Sequence, residues 1–296
     1  MTAHVQIVGW NHRGDLEDLL HSCARQTLSL PVLYVDNAST DGSVDFVRRE
    51  FPAVRVIVNS VNRGYAGGHN DGLRAERSTD VAILLNPDIV LDPRCFEELL
   101  RPFADPRVGA AVPLLVRPRA DRERVGADDA IVDAYGTRLT PSLRAVHIGE
   151  GVRLTAFLRT PESSPWGFTG AAVALSRRAI SDVSLAGEFF DEALHSYRED
   201  VDVSWRMVHR GWRIVGVRSA RATHVRAVRQ DGPKRPRVAQ LSWRNSFLVL
   251  IKSVPTRVLV RHGIPVALES ALRLVQLLVS PRLWPALPEL VRLLPQ

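Results

Sequence analysis

The chemistry legible in this chain lies in acidic side chains set just beyond apolar runs. Val35-Asp36-Asn37-Ala38-Ser39-Thr40-Asp41-Gly42-Ser43 closes the run Pro31 to Val35 on a carboxylate, and Asn86-Pro87-Asp88 follows Val81 to Leu85 in the same way. Open α/β sheets bury such strands on both faces and bind ligands at their carboxyl ends. An ionised carboxylate placed there accepts hydrogen bonds only. Together with phosphates and water, it can also hold a hard divalent cation. A third acidic set, Glu199-Asp200-Val201-Asp202, opens a helical pattern that continues through Trp205-Arg206 and ends near Gly211. Plainer readings stand beside these, since Asp and Asn are ordinary turn residues and carboxylates complement the positive end of a helix.

Positioning those groups takes an alternation of strands and helices, and the pattern supplies it. Val5 to Trp10, Pro31 to Val35, Val54 to Asn59 and Val81 to Leu85 read as strands; Asp15 to Gln26, Val44 to Glu50, Gly67 to Glu76 and Pro93 to Phe103 read as the helices between them. Thr40 to Ser43 offers capping groups for the second helix, and Asp92-Pro93 is a start signal for the fourth. Val108 to Val116, Gly170 to Leu175 and Trp212 to Val217 read as further strands, and Glu199 to Arg210 as a helix. The expected fold is α/β, a mostly parallel central sheet flanked by helices. Arg117 to Asp129, rich in Arg and Asp, is expected to be a surface loop or an acceptor-side insertion.

The order of the motifs narrows the class. After Asp36 come Asn62-Arg63-Gly64-Tyr65-Ala66-Gly67-Gly68-His69-Asn70-Asp71-Gly72, then Asn86-Pro87-Asp88, then Tyr197-Arg198-Glu199-Asp200-Val201-Asp202. In this order and rough spacing the chain resembles the family 2 glycosyltransferases with the GT-A fold, especially a bacterial branch similar to rhamnosyltransferases. The resemblance covers roughly residues 4 to 252 and is weakest between Arg117 and Ser164. It implies a GT-A domain over 1–252, with a nucleotide-binding half to about 116 and an acceptor and catalytic half from about 117. Residues 253–296 would form a basic, amphipathic helical extension.

The resemblance also implies roles. Val8 to Trp10 would frame base and ribose, and Asp36 would accept the N3 proton of uracil or thymine. Arg63, Gly64, Gly67 and Gly68 would form the loop after the third strand, with Arg63 pairing with phosphate. Asn70 joins this nucleotide-sugar set, while His69 stands where the family more often has Asn. Asn86 and Asp88 occupy the metal motif, so Asp88 would carry the protein's charge at a Mg2+ or Mn2+ ion, joined by His224 beyond the catalytic helix and strand. The acidic block, matched nearly position by position from Phe189 to Arg213, puts the general base at Asp200. Glu199 would orient the acceptor, and Asp202 reads equally well as structural. One base and a metal-held leaving group imply a single displacement that inverts the anomeric carbon.

Composition is compatible with this class without selecting it. The 296 residues are 45% hydrophobic, enough for one large core or a core with an appendage. Cys23 and Cys95 lack metal-type spacing, so a reducing compartment is expected, and Met1 to Gln6 lacks the basic and apolar parts of a secretory signal. The net charge of +7 is uneven: residues 206–296 hold 15 Arg and two Lys against Asp231, Glu269 and Glu289. A pyrophosphate-bearing substrate or an anionic membrane surface would attract that segment. Nucleic acid is not expected, because Arg scattered among Leu, Val and Pro matches none of the modular motifs.

Prolines and charges divide the last forty-odd residues too finely for a transmembrane helix. Ala267 to Val279 has helical spacing with Glu269 and Arg273 as an i,i+4 pair. It would pack on the body or another subunit, or lie along a membrane. The expected activity is transfer of a sugar, rhamnose foremost, from a UDP- or dTDP-sugar to a glycan or lipid-linked acceptor, in the cytoplasm or at the inner face of its membrane. The order Gln240-Leu241-Ser242-Trp243-Arg244 differs from the Q-x-x-R-W of processive relatives and favours adding one or a few sugars. A silent nucleotide-sugar-binding scaffold and a nucleotidyltransferase are the alternatives.

Overall fold

A computed structural model describes residues 1–117, 130–225 and 236–294. The first half alternates as the apolar pattern requires: β1 (Ala3–Gly9), α1 (Arg13–Ala24), β2 (Val32–Asp36), α2 (Ser43–Glu50), β3 (Arg55–Val58), α3 (Gly64–Ala75), β4 (Val81–Leu85), β5 (Ile89–Leu91), α4 (Cys95–Leu100) and β6 (Val108–Arg117). Then follow β7 (Ile131–Ala134), β8 (Thr137–Leu139), β9 (Ala145–His147), α5 (Leu154–Leu158), β10 (Ala172–Ser176), α6 (Arg177–Val183), α7 (Glu199–His209) and β11 (Arg213–His224). Helices Pro236–Lys252, Thr256–Arg261, Gly263–Val279 and Ala286–Leu293 close the described chain.

The main sheet has the order β3-β2-β1-β4-β10-β6-β11-β5, with β7 on β6. Strands β3, β2, β1 and β4 run parallel, but β10 lies antiparallel to both β4 and β6. The sheet is therefore mixed beyond β4. Its residues alternate between two cores: Ile83 and Leu85 of β4 face the cluster holding Val5, Ile7, Leu16 and Phe96, whereas Ala82 and Leu84 face Val173, Leu175, Ile180 and Met207. Burial on both faces explains the unbroken apolar runs.

Several boundaries differ from the sequence expectation. The helix expected from Pro93 starts at Cys95 and tightens into a 3-10 turn at Arg101–Ala104, where Pro102 cannot donate to the helix ladder. Strand β11 continues past Val217 to His224, pairing with β6 and then with β5. Of the Arg117 to Asp129 segment, Arg117 ends β6, and the remainder lies outside the described residues. The C-terminal helices share a third core with α7, in which Val201 and Trp205 meet Trp243, Leu248, Leu277 and Leu290.

Candidate active site

The carboxyl ends of β1 and β2 meet in register at Gly9 and Asp36. Asp36 is fully buried: Tyr34 donates its hydroxyl to Oδ1 at 2.9 Å, and the Ser39 amide donates to Oδ2 at 2.8 Å. Gly9 makes room for Tyr34, since a Cβ there would lie 2.8 Å from the phenolic oxygen. Val8 is half-buried, and Trp10, one residue past β1, is exposed. The turn after β2 is pinned by Asp41, whose Oδ2 accepts from the Arg13 amide at 2.8 Å and whose Oδ1 accepts from the Ser43 amide at 3.1 Å.

The glycine-rich segment is a helix rather than a phosphate loop. Residue 64 onward forms α3, and a Cβ at Gly68 would sit 2.6 Å from Val8 Cγ1, so the glycine serves close packing of helix on strand. Arg63 pairs with carboxylates, Asp71 at 2.6 Å and Glu192 at 2.5 Å, which joins α3 to the loop before α7. Asn70 is buried and brackets the Phe190 backbone, donating to its carbonyl at 2.8 Å and accepting from its amide at 3.0 Å. Gly68, Arg63 and Asn70 thus each have packing or pairing partners within the protein. His69, also buried, has its Nδ1 2.8 Å from the Gln6 amide nitrogen; burial lowers its pKa to about 3 and keeps it neutral.

Asp88 and His224 do come together. Asp88 is buried in the turn between β4 and β5, and the end of β11 pairs with β5, so that His224 stands opposite Ile89. His224 Nε2 lies 3.5 Å from Asp88 Oδ2, and its Nδ1 lies 2.9 Å from Asp133 Oδ2. Burial opposes protonation of this imidazole, but the Asp133 and Asp88 carboxylates outweigh it and raise the pKa to about 9. Asp133, on β7, is held in turn by Arg117 at 2.8 Å.

Asp88 could offer a divalent cation an oxygen ligand beside substrate phosphates and water, and His224 could add a ring nitrogen once it gives up its proton, with Asp133 behind the ring to fix its orientation. Among the described residues no group of three or more His, Cys, Asp or Glu side chains is arranged to hold a metal alone. Asp133 was not found by sequence reasoning. It is 91 residues from His224, with no local signal to join the two.

The acidic block sits against the same turn. The Gly170 amide donates to Asp200 Oδ2 at 3.1 Å, and the Asn86 amide donates to the neighbouring Ala171 carbonyl at 2.9 Å. Successive residues ahead of β10 thus tie the 86–88 turn to the first turn of α7. Asp200 also accepts from the Val201 amide at 2.8 Å and remains partly exposed. Asp202 is structural: Arg206 donates to it at 2.6 Å and Ser253 at 2.5 Å.

Glu199 is buried, with Oε2 lacking a hydrogen-bond partner among the described residues. Burial first, and then the Asp200 charge, hold its pKa well above the ordinary carboxylate range. Such a group is neutral in the fold and ionised in the unfolded chain, so stability falls as pH rises from the unfolded pKa toward the folded one. Glu199→Gln removes that penalty. Thermal scans should show a Tm difference that moves in the variant's favour as pH rises above the ordinary carboxylate range, and a constant or reversed difference would contradict the buried neutral acid.

Comparison with known proteins gives the family and the fold. The family model for glycosyl transferase family 2 matches residues 5–157. An N-acetylglucosaminyl-diphospho-decaprenol L-rhamnosyltransferase of Mycobacterium tuberculosis is 29% identical over 219 residues, 66% of this chain and 66% of that one. A pre-mycofactocin glycosyltransferase of the same species is 30% identical over 189 residues, 62% of this chain and 35% of the relative. The chain thus spans just under two thirds of the first relative's length and about a third of the second's.

Among solved structures, GalNAc-T7 with UDP, GalNAc and Mn2+ superposes with a TM-score of 0.62 at 18% identity, over 84% of this chain and 48% of that one. The mannosyltransferase PcManGT from Pyrobaculum calidifontis, in complex with GDP-Man and Mn2+, gives 0.56 at 18% identity over 98% and 85%. Both likenesses are of fold. With the family model covering more than half of its length, the chain belongs to glycosyl transferase family 2 and is a glycosyltransferase of the GT-A fold.

Proposed function

We propose that this enzyme moves a sugar, with inversion, from a UDP- or dTDP-sugar to a hydroxyl of a glycan or lipid-linked acceptor, in building a cell-surface polysaccharide. The observation that carries the reading is the backbone tie at residues 170–171, which links Asp200 to the turn bearing Asp88, whose carboxylate faces His224 at the end of β11. Asp200 takes the acceptor's hydroxyl proton as that oxygen attacks the anomeric carbon, and the bond from that carbon to the donor phosphate breaks. A Mg2+ or Mn2+ ion held by Asp88 and His224 would neutralise charge on the departing diphosphate. Asp36, at the end of β2, is assigned to the pyrimidine, with Val8, Trp10 and Asn86 around the donor. Rhamnose is the favoured sugar because the first relative is a rhamnosyltransferase acting on a lipid diphosphate. Incubation with a panel of nucleotide sugars tests the assignment: dTDP-rhamnose should be consumed fastest, and a preference for a purine nucleotide would contradict the role of Asp36.

The C-terminal helices support attachment to a membrane surface. Helix Gly263–Val279 is built inside out. Its Glu269–Arg273 pair, 2.9 Å apart, faces the protein, where Arg273 also donates to Ser246, while Ile264, Leu268, Leu272, Val275 and Leu278 face outward at 79%, 63%, 67%, 54% and 75% exposure. A contiguous apolar patch of this kind signals a docking surface. Arg257, Arg261, Arg282 and Arg292 around it are exposed and pair with no carboxylate among the described residues, which suits an anionic lipid surface.

No single described helix is long and apolar enough to cross a membrane; the pair 263–279 and 281–293 passes that test only together, across a 104° bend. Leu268→Glu with Leu272→Glu should abolish co-sedimentation with phosphatidylglycerol vesicles at low salt, and high salt should weaken it in the unaltered protein. A monomer that never pellets, or a dimer that the double variant dissociates, would overturn the attachment.

A further inference from the structure

A second basic feature lies inside the molecule, between the catalytic helix and the C-terminal helices. Here a cleft with an apolar floor, including Leu143, Val201 and Val249, is walled by Arg144, Arg198 and Arg273, with Glu269 as the one carboxylate in its lining. Glu269 is already taken by Arg273 at 2.9 Å. Arg144 is exposed and Arg198 half-buried, and neither forms an ion pair with a carboxylate among the described residues. Burial holds the Arg198 guanidinium below its ordinary pKa, and Arg273 and Arg144 act in the same direction against the opposing pull of Asp200. Clustered cationic charge over an apolar floor is costly, and a bound anion offsets that cost.

The backbone is arranged to keep Arg198 there. His195, Tyr197 and Arg198 have φ values of 62°, 70° and 75°, a left-handed conformation unusual for such residues. The loop is held from the Pro236–Lys252 helix. Asn245 donates to the carbonyls of Leu194, Ser196 and Tyr197 at 2.8, 3.0 and 2.6 Å, and Arg244 donates to those of Ala193 and Leu194 at 2.9 and 3.1 Å. Strain of this kind persists where surrounding structure fixes it, commonly at functional sites. Two residues on stands Asp200. The cleft lining includes none of Asp36, Asp88 and His224, so it is separate from the side assigned to the donor diphosphate.

We propose that this cleft binds the phosphate groups of the acceptor: a glycosyl diphosphate whose sugar hydroxyl is presented to Asp200 while its phosphates are held by Arg144 and Arg198. This deepens the transferase reading and rests on it. It also explains why the helix supplying Arg273 turns its other side outward bare and apolar, since an acceptor phosphorylated on a lipid must be met at a membrane surface. Anionic phospholipid headgroups carry the same chemistry and are the competing source.

The test is calorimetry on the full chain, in chelator, with inorganic pyrophosphate and farnesyl diphosphate as probes, alongside sedimentation with phosphatidylglycerol vesicles. Both probes should bind, and Arg144→Gln and Arg198→Gln should each weaken them tenfold or more, whereas Asp88→Ala should leave them unchanged. Arg144 is exposed, so its variant keeps the test decisive if the Arg198 variant misfolds. Affinities indifferent to Arg144→Gln, or lost in Asp88→Ala, would overturn the site. So would a variant that loses vesicle binding alone, which would assign the arginines to headgroups. The transferase reading fails separately: absent sugar transfer with pyrophosphate binding intact would remove the reaction and leave an anion site.

Discussion

Asp200→Asn is expected to lower transfer by roughly 10²- to 10⁴-fold, the usual contribution of a positioned base, while leaving nucleoside diphosphate affinity within about twofold of the unaltered enzyme. The amide keeps the side chain's shape and still accepts through its oxygen, so the hydrogen bond from Gly170 at 3.1 Å can persist. What it loses is the capacity to take a proton. Turnover with saturating donor, read beside calorimetric binding of dTDP and UDP, separates the two effects. Near-normal turnover would remove Asp200 from the chemistry, and a collapse of nucleotide binding would place it on the donor side.

Removing Asp88 should have an effect of similar size by another route. Asp88→Ala takes away the carboxylate that faces His224 Nε2 at 3.5 Å, and with it most of the charge that would hold a divalent ion. Transfer and the Mn2+ enhancement of donor binding should fall together. His224→Ala should cost less with Mg2+ than with Mn2+, because magnesium prefers oxygen over ring nitrogen. Asp133→Asn, acting through the ring, should weaken Mn2+ affinity about 10- to 100-fold, as partners behind a ligating histidine do. Full activity of the unaltered enzyme in chelator would contradict all three expectations.

The strands and the three acidic positions were legible because each is a local signal: doubly buried β4 is an unbroken apolar run, and Asp36 and Asp88 follow their strands directly. Long-range placement was not legible. Nothing near Asp133 marks it as the partner of His224, and nothing in β10 says that it will insert antiparallel between β4 and β6. The conformation of the segment from Arg63 to Asn70 was not legible either. Glycine beside arginine fits a loop and tight helix packing equally well in sequence, and the structure forms a helix from Gly64, with Val8 beneath Gly68 and Glu192 opposite Arg63. Likewise the spacing from Ala267 to Val279 announced a helix without telling which side would face water. Glu269 and Arg273 turned inward because Ser246 and the Trp243 indole find partners there, at Arg273.

The most direct measurement follows product and stereochemistry together. The purified chain, Mn2+, dTDP-rhamnose and a lipid-diphosphate N-acetylglucosamine acceptor are incubated, with the nucleotide product resolved by chromatography and the new glycosidic bond by NMR. The expected result is release of dTDP in step with a disaccharide of inverted anomeric configuration, suppressed by chelator and by Asp200→Asn. Release of pyrophosphate, a retained configuration, or product formation untouched by Asp200→Asn would contradict it.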